Sequence, residues 1–130
     1  MSVRISVDAD APPARVWELY AQPERWREWA PHVRSPRGLG DPEVVAGARG
    51  TIRLGGALPL PATITEVEPG RSWAWRVGPA TLRHTVEPMG GGTRIGLEIE
   101  VPRALEPGVR LTYAPITRLL LANLARAAKP

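Results

Sequence analysis

The stretch Ala104–Ala128 constrains the fold most, because it alone combines helical apolar spacing with the length to span a small domain. At 100° per residue, Ile116, Leu120, Leu124 and Ala127 fall on one stripe, flanked by Leu119 and Leu121. Arg118 lies on the far side and Arg126 at the edge, while two polar residues, Tyr113 and Asn123, intrude on the apolar side. A helix must bury such a stripe, and everything upstream reads as short strands. The expected arrangement is one long terminal helix gripped by a curved antiparallel sheet. Pro107 and Pro115 bear on where that helix begins, since a proline inside a helix removes a hydrogen bond and costs about 3 kcal/mol. Either the helix kinks near Tyr113, or it starts at Pro115 after a looser lead-in.

Upstream, Val3, Ile5 and Val7 alternate with Ser2, Arg4, Ser6 and Asp8, the period of a half-buried strand. Asp10-Ala-Pro-Pro then signals a helix start, with an acidic residue near the cap and proline in the first turn. Val16, Leu19 and Tyr20 supply that helix's inner face, beside Trp17. Pro23 restarts a second short helix, which sets Trp26 and Trp29 one turn apart. After the connection Ala30–Pro36, which holds His32, short strands are expected over Val33–Leu39 and Ala48–Leu54. The turns Gly38–Pro42 and Gly55–Leu58 read as candidate mobile loops. Pro61–Val67 leads into Pro69-Gly70, a pair suited to a type II turn because glycine accepts the positive φ required there. On Ser72–Val77 the residues Trp73, Trp75 and Val77 share a face, as do Leu82, His84 and Val86 on Thr81–Glu87. Gly90-Gly91-Gly92 closes a hairpin onto Arg94–Val101, with Ile95, Leu97, Ile99 and Val101 inward and Glu98 and Glu100 outward.

At 130 residues the chain is expected to form one domain over 1–130, large enough to bury about two thirds of its unfolded surface. No apolar run is long enough for a membrane-spanning helix, and MSVRISVDAD lacks the apolar core of a signal peptide, so a cytoplasmic location is expected. With no cysteine there is no disulfide, thiol nucleophile or thiolate metal site. The net charge of +4 comes from sixteen arginines and one lysine, and the arginines are spread singly. Without a basic run or a basic helix face interleaved with aromatics, neither nucleic acid nor a membrane is an expected partner. The two histidines have no third ligand at metal spacing, so neither a metal site nor a cofactor is expected. There is no GxSxG elbow and no phosphate-binding glycine loop.

The run VDADAPPARVWELYAQPERWREWAP resembles the opening of the START/Bet v 1-like (SRPBCC) superfamily, in particular its polyketide cyclase/dehydrase-type members. ITEVEPGRSWAWRV and RHTVEPMGGGTRIGLEIEV resemble that family's middle and late strands, so the likeness covers nearly the whole chain. It implies an α+β helix-grip fold: about six or seven antiparallel strands curved around a long C-terminal helix, with two short helices after the first strand. It also implies a cavity for apolar small molecules, which some members cyclise or dehydrate and others carry; still others bind proteins. Aromatase/cyclase members place an arginine on a central strand and a tyrosine after the small helices. The matching stretches here, ATITEVE and PHVRS, hold no arginine and no tyrosine respectively.

With no phenylalanine and many inward valine, isoleucine and alanine residues, the space between sheet and helix is expected to be incompletely filled. His84, Asn123 and Tyr113 point toward it, and a buried polar group without a partner costs on the order of 1–3 kcal/mol. His84 reads either as a neutral core histidine bonded to a neighbouring carbonyl or hydroxyl, or as a group that contacts or protonates a bound carbonyl compound. Tyr113 either packs its ring or donates to a substrate oxygen. These two are the catalytic candidates. Trp26, Trp29, Trp73, Trp75, Leu82, Leu97, Leu120 and Asn123 are the ligand-binding candidates, with core packing as the plain alternative for the tryptophans and a water-bonded place at the cavity wall as that for Asn123. His32, in a polar connection, is expected to face solvent. Three functions stay open: a binder of apolar cyclic or polyketide-like molecules that promotes cyclisation or dehydration, a non-catalytic carrier, and a chaperone-stimulating protein-binding module. A cavity above roughly 300 Å³ favours the first two and a large exposed apolar patch the third. Oligomeric state stays open between monomer and homodimer.

Overall fold

A computed structural model of the protein describes residues 2–54 and 58–129. Its sheet contains β1 (Ser2–Ala9), β2 (Val33–Arg37), β3 (Arg49–Leu54), β4 (Leu60–Glu68), β5 (Ser72–Val77), β6 (Ala80–Met89) and β7 (Gly92–Glu100). The order is β1-β7-β6-β5-β4-β3-β2, every pair antiparallel: a meander from β2 to β7, with β1 returning to the β7 edge. Period-two patterning produces this directly. Val3 and Ile5 of β1, Leu82, His84 and Val86 of β6, and Ile95, Leu97 and Ile99 of β7 are all buried on one face. The other face carries cross-strand ion pairs, Arg4–Glu98 at 2.7 Å and Arg94–Asp8 at 2.9 Å. The Arg94 hydrogen bond holds the exposed Asp8 carboxyl below its usual range.

Helix α1 (Pro13–Ala21) has Pro12 at its cap position and Pro13 in its first turn; Asp10 does not cap it, since no side chain does. A 3-10 helix, Pro23–Glu28, follows after Gln22. Strand β2 is shorter than the expected Val33–Leu39, because its pairing with β3 slips between Arg34 and Arg37. Ser35 there takes a left-handed φ of 51° and bulges the strand. At this bend the two strands touch so closely that a Cβ on Gly50 would run into the Arg37 carbonyl. Gly55–Ala57, in the expected turn, lie outside the described residues.

The C-terminal segment winds continuously through Pro115. A 3-10 turn (Arg103–Leu105) and α2 (Glu106–Gly108) lead into a π turn (Val109–Tyr113) and then α3 (Ala114–Ala128). The Ala114 amide reaches the Val109 carbonyl, five residues back. Pro115 has no amide to offer and its ring would press on the carbonyl four residues before it; the widened turn makes room. Of the two alternatives, the looser lead-in is the one realised.

The buried face of α3 overlaps the expected stripe only in part, at Leu124 and the flanking Leu121, with Leu120 and Ala127 half-buried. Thr117, Leu121, Leu124 and Ala128 are buried, whereas Ile116 is 50% and Leu119 67% exposed. Consecutive Leu119, Leu120 and Leu121 spread apolar character around the helix, so spacing alone does not set its rotation. Thr117 can enter the core because its hydroxyl donates to the Tyr113 carbonyl at 2.5 Å. This face packs on β1, β7 and α1. No helix among the described residues is long and apolar enough to cross a membrane.

Candidate functional site

Strand register assembles an aromatic cluster on the concave face. β5 pairs with β6 so that Trp73 faces His84 and Trp75 faces Leu82, and β6 pairs with β7 so that His84 faces Leu97. Trp26 stacks on Trp73 (5.5 Å, 10°), and Trp73 on His84 (3.7 Å, 6°). Tyr20 closes the cluster edge-on to His84 at 5.1 Å, its hydroxyl donating to the Gly96 carbonyl at 2.7 Å. The end of α1 supplies acceptors, because its last carbonyls have no intrahelical partner. Trp26 and Trp73 both donate to the Tyr20 carbonyl, at 2.9 and 3.1 Å, and Trp29 donates to that of Leu19 at 2.8 Å.

His84 Nδ1 lies 3.2 Å from the Trp73 carbonyl. A carbonyl only accepts, so the neutral ring carries its proton on Nδ1 and keeps a lone pair on Nε2. Burial, partly offset by that bond, lowers the imidazole pKa to about 3. At neutral pH His84 is therefore an uncharged acceptor. Burial also raises the Tyr113 phenol pKa, so this hydroxyl keeps its proton.

These rings fill most of the space expected to be hollow. The absence of phenylalanine misleads, because four of the five tryptophans take up that volume with Tyr20. What remains inside is a cavity of about 50 Å³, lined by Tyr20, Trp29, Trp75, Leu82, His84, Leu97, Tyr113, Thr117, Leu120 and Leu121, with His32 and Val33 at its rim. That is room for about one water. A larger apolar cleft, about 390 Å³, opens between the lead-in to α3 and the ends of β3 and β5–β7. Leu54, Val77, Ile99, Val101, Leu105 and Val109 form its walls. Leu82 and Tyr113 belong to both spaces and stand between them.

Among the expected site residues, His84, Tyr113, Trp29, Trp75, Leu82, Leu97 and Leu120 thus come together around the inner cavity. Trp26 and Trp73 sit one layer behind it. Asn123 is turned away from the lining: its amide reaches the Trp29 carbonyl at 3.5 Å and its oxygen accepts from Arg126. His32 departs from expectation, being half-buried against the cavity, with burial lowering its pKa. Tyr20 and Thr117 also line the cavity, although neither stood out as a site residue. The signal for Tyr20 was its place on the inner face of α1; Thr117 gave none, because its intrahelical bond is invisible in a one-letter string.

A curved seven-stranded antiparallel sheet holding a terminal helix, with an apolar cleft at the helix's leading end, defines a helix-grip protein. The family model described as polyketide cyclase/dehydrase and lipid transport matches residues 1–129, and the chain belongs to that family. No curated protein matches closely enough to count as a relative. Among solved structures, it is similar to DynU16, a putative protein in the dynemicin biosynthetic locus (22% identity, 96% of this chain and 46% of that one, TM-score 0.77). This chain therefore spans about half the length of DynU16. It is also similar to the Aha1 dimer from Colwellia psychrerythraea (13%, 99% and 96%, TM-score 0.76) and to Ara h 8.0201 (10%, 97% and 98%, TM-score 0.67). At such identities these likenesses speak for the fold alone. The family suggests hydrophobic ligand binding.

Proposed function

We propose that the protein binds an apolar, cyclic or polyketide-like small molecule, its body in the outer cleft and its oxygenated end at the inner cavity. The supporting observation is the adjacency of the two spaces across Leu82 and Tyr113. The cleft supplies apolar wall, while the cavity supplies His84 as acceptor and Tyr113 as donor. Cyclisation or dehydration would be promoted by holding the chain of the ligand in a reactive fold and donating a hydrogen bond from Tyr113 to a substrate oxygen. Neutral His84 has no proton to give at Nε2, and with its pKa lowered to about 3 it is a poor base, so its part is to accept a hydrogen bond. The family description accords with this class of ligand.

Titration with the neutral dye N-phenyl-1-naphthylamine tests the binding half. Saturable fluorescence enhancement is expected, and Thr112→Trp, which fills the cleft from its rim, should abolish it. Enhancement that is absent, or indifferent to Thr112→Trp, overturns the reading. For catalysis the comparison is a His84→Ala, Tyr113→Phe double variant; native turnover of the authentic substrate would leave only the carrier function. A protein-binding role is favoured by one separate observation: Leu111, 79% exposed, stands with Leu119 and Ile116 on the outer side of the terminal segment.

A further inference from the structure

The outer face of the sheet divides into two halves with different charge. On β1, β6 and β7 each arginine has a carboxylate partner: Arg4 with Glu98, Arg94 with Asp8, and Arg83 with Glu66. On β2, β3 and β5 the arginines stand without them. Arg34 lies opposite Arg53, Arg37 opposite Thr51, and Thr63 between Arg49 and Arg76. All five arginines are exposed on the outer face, since Ile52, Ala62, Ile64 and Trp75 beside them in sequence or register are buried inward. Among the described residues Arg34, Arg37, Arg49 and Arg76 make no ion pair. No acidic residue occurs in β2, β3 or β5, and Glu66 and Glu68 of β4 are engaged by Arg83 and Arg71. The sequence spreads its arginines singly; strand register gathers these five into one unneutralised patch. Sheets gain from opposite charges set across from one another and lose from like ones, so the countercharge for this patch comes from outside the chain.

The form of the patch selects the partner. It runs about 13 Å along β3 and about 14 Å from β2 to β5, enough to seat one helix, about 10–12 Å wide, over roughly two turns. Guanidinium groups pair with carboxylates through two parallel hydrogen bonds. A strand cannot add at the β2 edge, because Ser35 bulges it and Pro36 offers no amide. Between the arginines stand Thr51, Pro61 and Thr63, without the aromatic rings that stack bases or the large apolar side chains that enter a membrane interface. Arg53 and Arg76 immediately precede Leu54 and Val77, two walls of the outer cleft. The patch therefore reaches the rim of the cleft.

We propose that the outer face of β2–β5 docks an acidic helix of a partner protein, which then stands beside the mouth of the cleft. Docking rests on the arginine face alone. Its use, passing an apolar ligand between partner and cleft, rests on the ligand-binding function above.

The test uses the full chain and a fluorescein-labelled alanine-based helical peptide with glutamates at i, i+4, i+7 and i+11. A peptide of the same composition with its glutamates scattered around the helix is the control. Fluorescence anisotropy at low salt should show saturable binding of the first peptide, weaker for the second and weakened again by added salt. Arg49→Glu with Arg76→Glu should reduce affinity about tenfold, and Arg49→Gln with Arg76→Gln should give part of that loss. Arg103→Glu with Arg118→Glu, the same charge change made on the terminal segment, should leave it within about twofold. Thermal midpoints of all variants check that each is folded. Equal losses from the two reversed pairs, or equal binding of the two peptides, would mean net charge alone and overturn the proposal. So would tighter binding of a DNA duplex or of phosphatidylglycerol vesicles, lost in the same variant, which would assign the face to phosphate. Titration with N-phenyl-1-naphthylamine keeps the two functions apart: its failure with wild type sinks ligand binding, while the peptide result decides docking.

Discussion

A buried histidine stacked 3.7 Å from an indole and bonded to a strand carbonyl is shielded from the bulk water that would stabilise its cation. The pH dependence of stability follows. The folded pKa, about 3, lies below the ordinary 6.5, so between those values the unfolded chain binds a proton that the folded chain does not. The contribution of neutral His84 is complete above pH 6.5 and is lost as pH falls toward 3. His32 is shifted in the same direction. From pH 7.5 to 4.5 wild type should lose about 2–3 kcal/mol more stability in urea titrations than His84→Phe, which keeps the ring stack but cannot titrate. Identical pH profiles would show that His84 titrates normally. The inward direction of this residue was legible from the alternation of Leu82, His84 and Val86, whereas its partner was not. That carbonyl belongs to Trp73 on a different strand, and only the β5–β6 register brings the two together.

At the scale of elements, the rotation of α3 decides which residues meet the cavity. Leu121→Ala should cost about 2–5 kcal/mol, as truncations of fully buried leucine do, and Leu119→Ala within about 0.5 kcal/mol. Similar costs for the two would be the outcome if the helix presented the stripe that its spacing suggested, on which both residues are flanks. Chemical denaturation of both variants discriminates the two rotations. The strands were legible because alternation admits only two phases, and burial picks one. The helix was not, because Ile116 and Leu119–Leu121 put apolar side chains on most sides of it. Thr117 then sits in the core by satisfying its own hydroxyl. The π turn was legible only as a problem: Pro115 announces a missing amide, and the Val109–Ala114 bond is how the backbone accommodates it.

For the whole molecule, the arrangement places most of its aromatic volume inside and its usable apolar volume at an edge. The tight ring cluster predicts a rigid centre, and the cleft beside α2 and the π turn predicts that a ligand stabilises mainly that end. A ligand at a hundred times its Kd should add about 2.7 kcal/mol, seen as a thermal midpoint raised by several degrees. Exposed Leu111 and Leu119 bear on assembly instead. If they join copies of the chain, Leu111→Ser with Leu119→Ser should convert a dimeric mass in light scattering to a monomeric one without weakening ligand binding. The central claim is that a small molecule lies between the terminal segment and the sheet. Its most direct test is a methyl NMR map recorded during titration with N-phenyl-1-naphthylamine. The account predicts shifts concentrated at Leu82, Ile99, Val101, Leu105 and Val109, reaching Leu120 and Leu121. Shifts confined to Leu111, Ile116 and Leu119 on the outer face would contradict it.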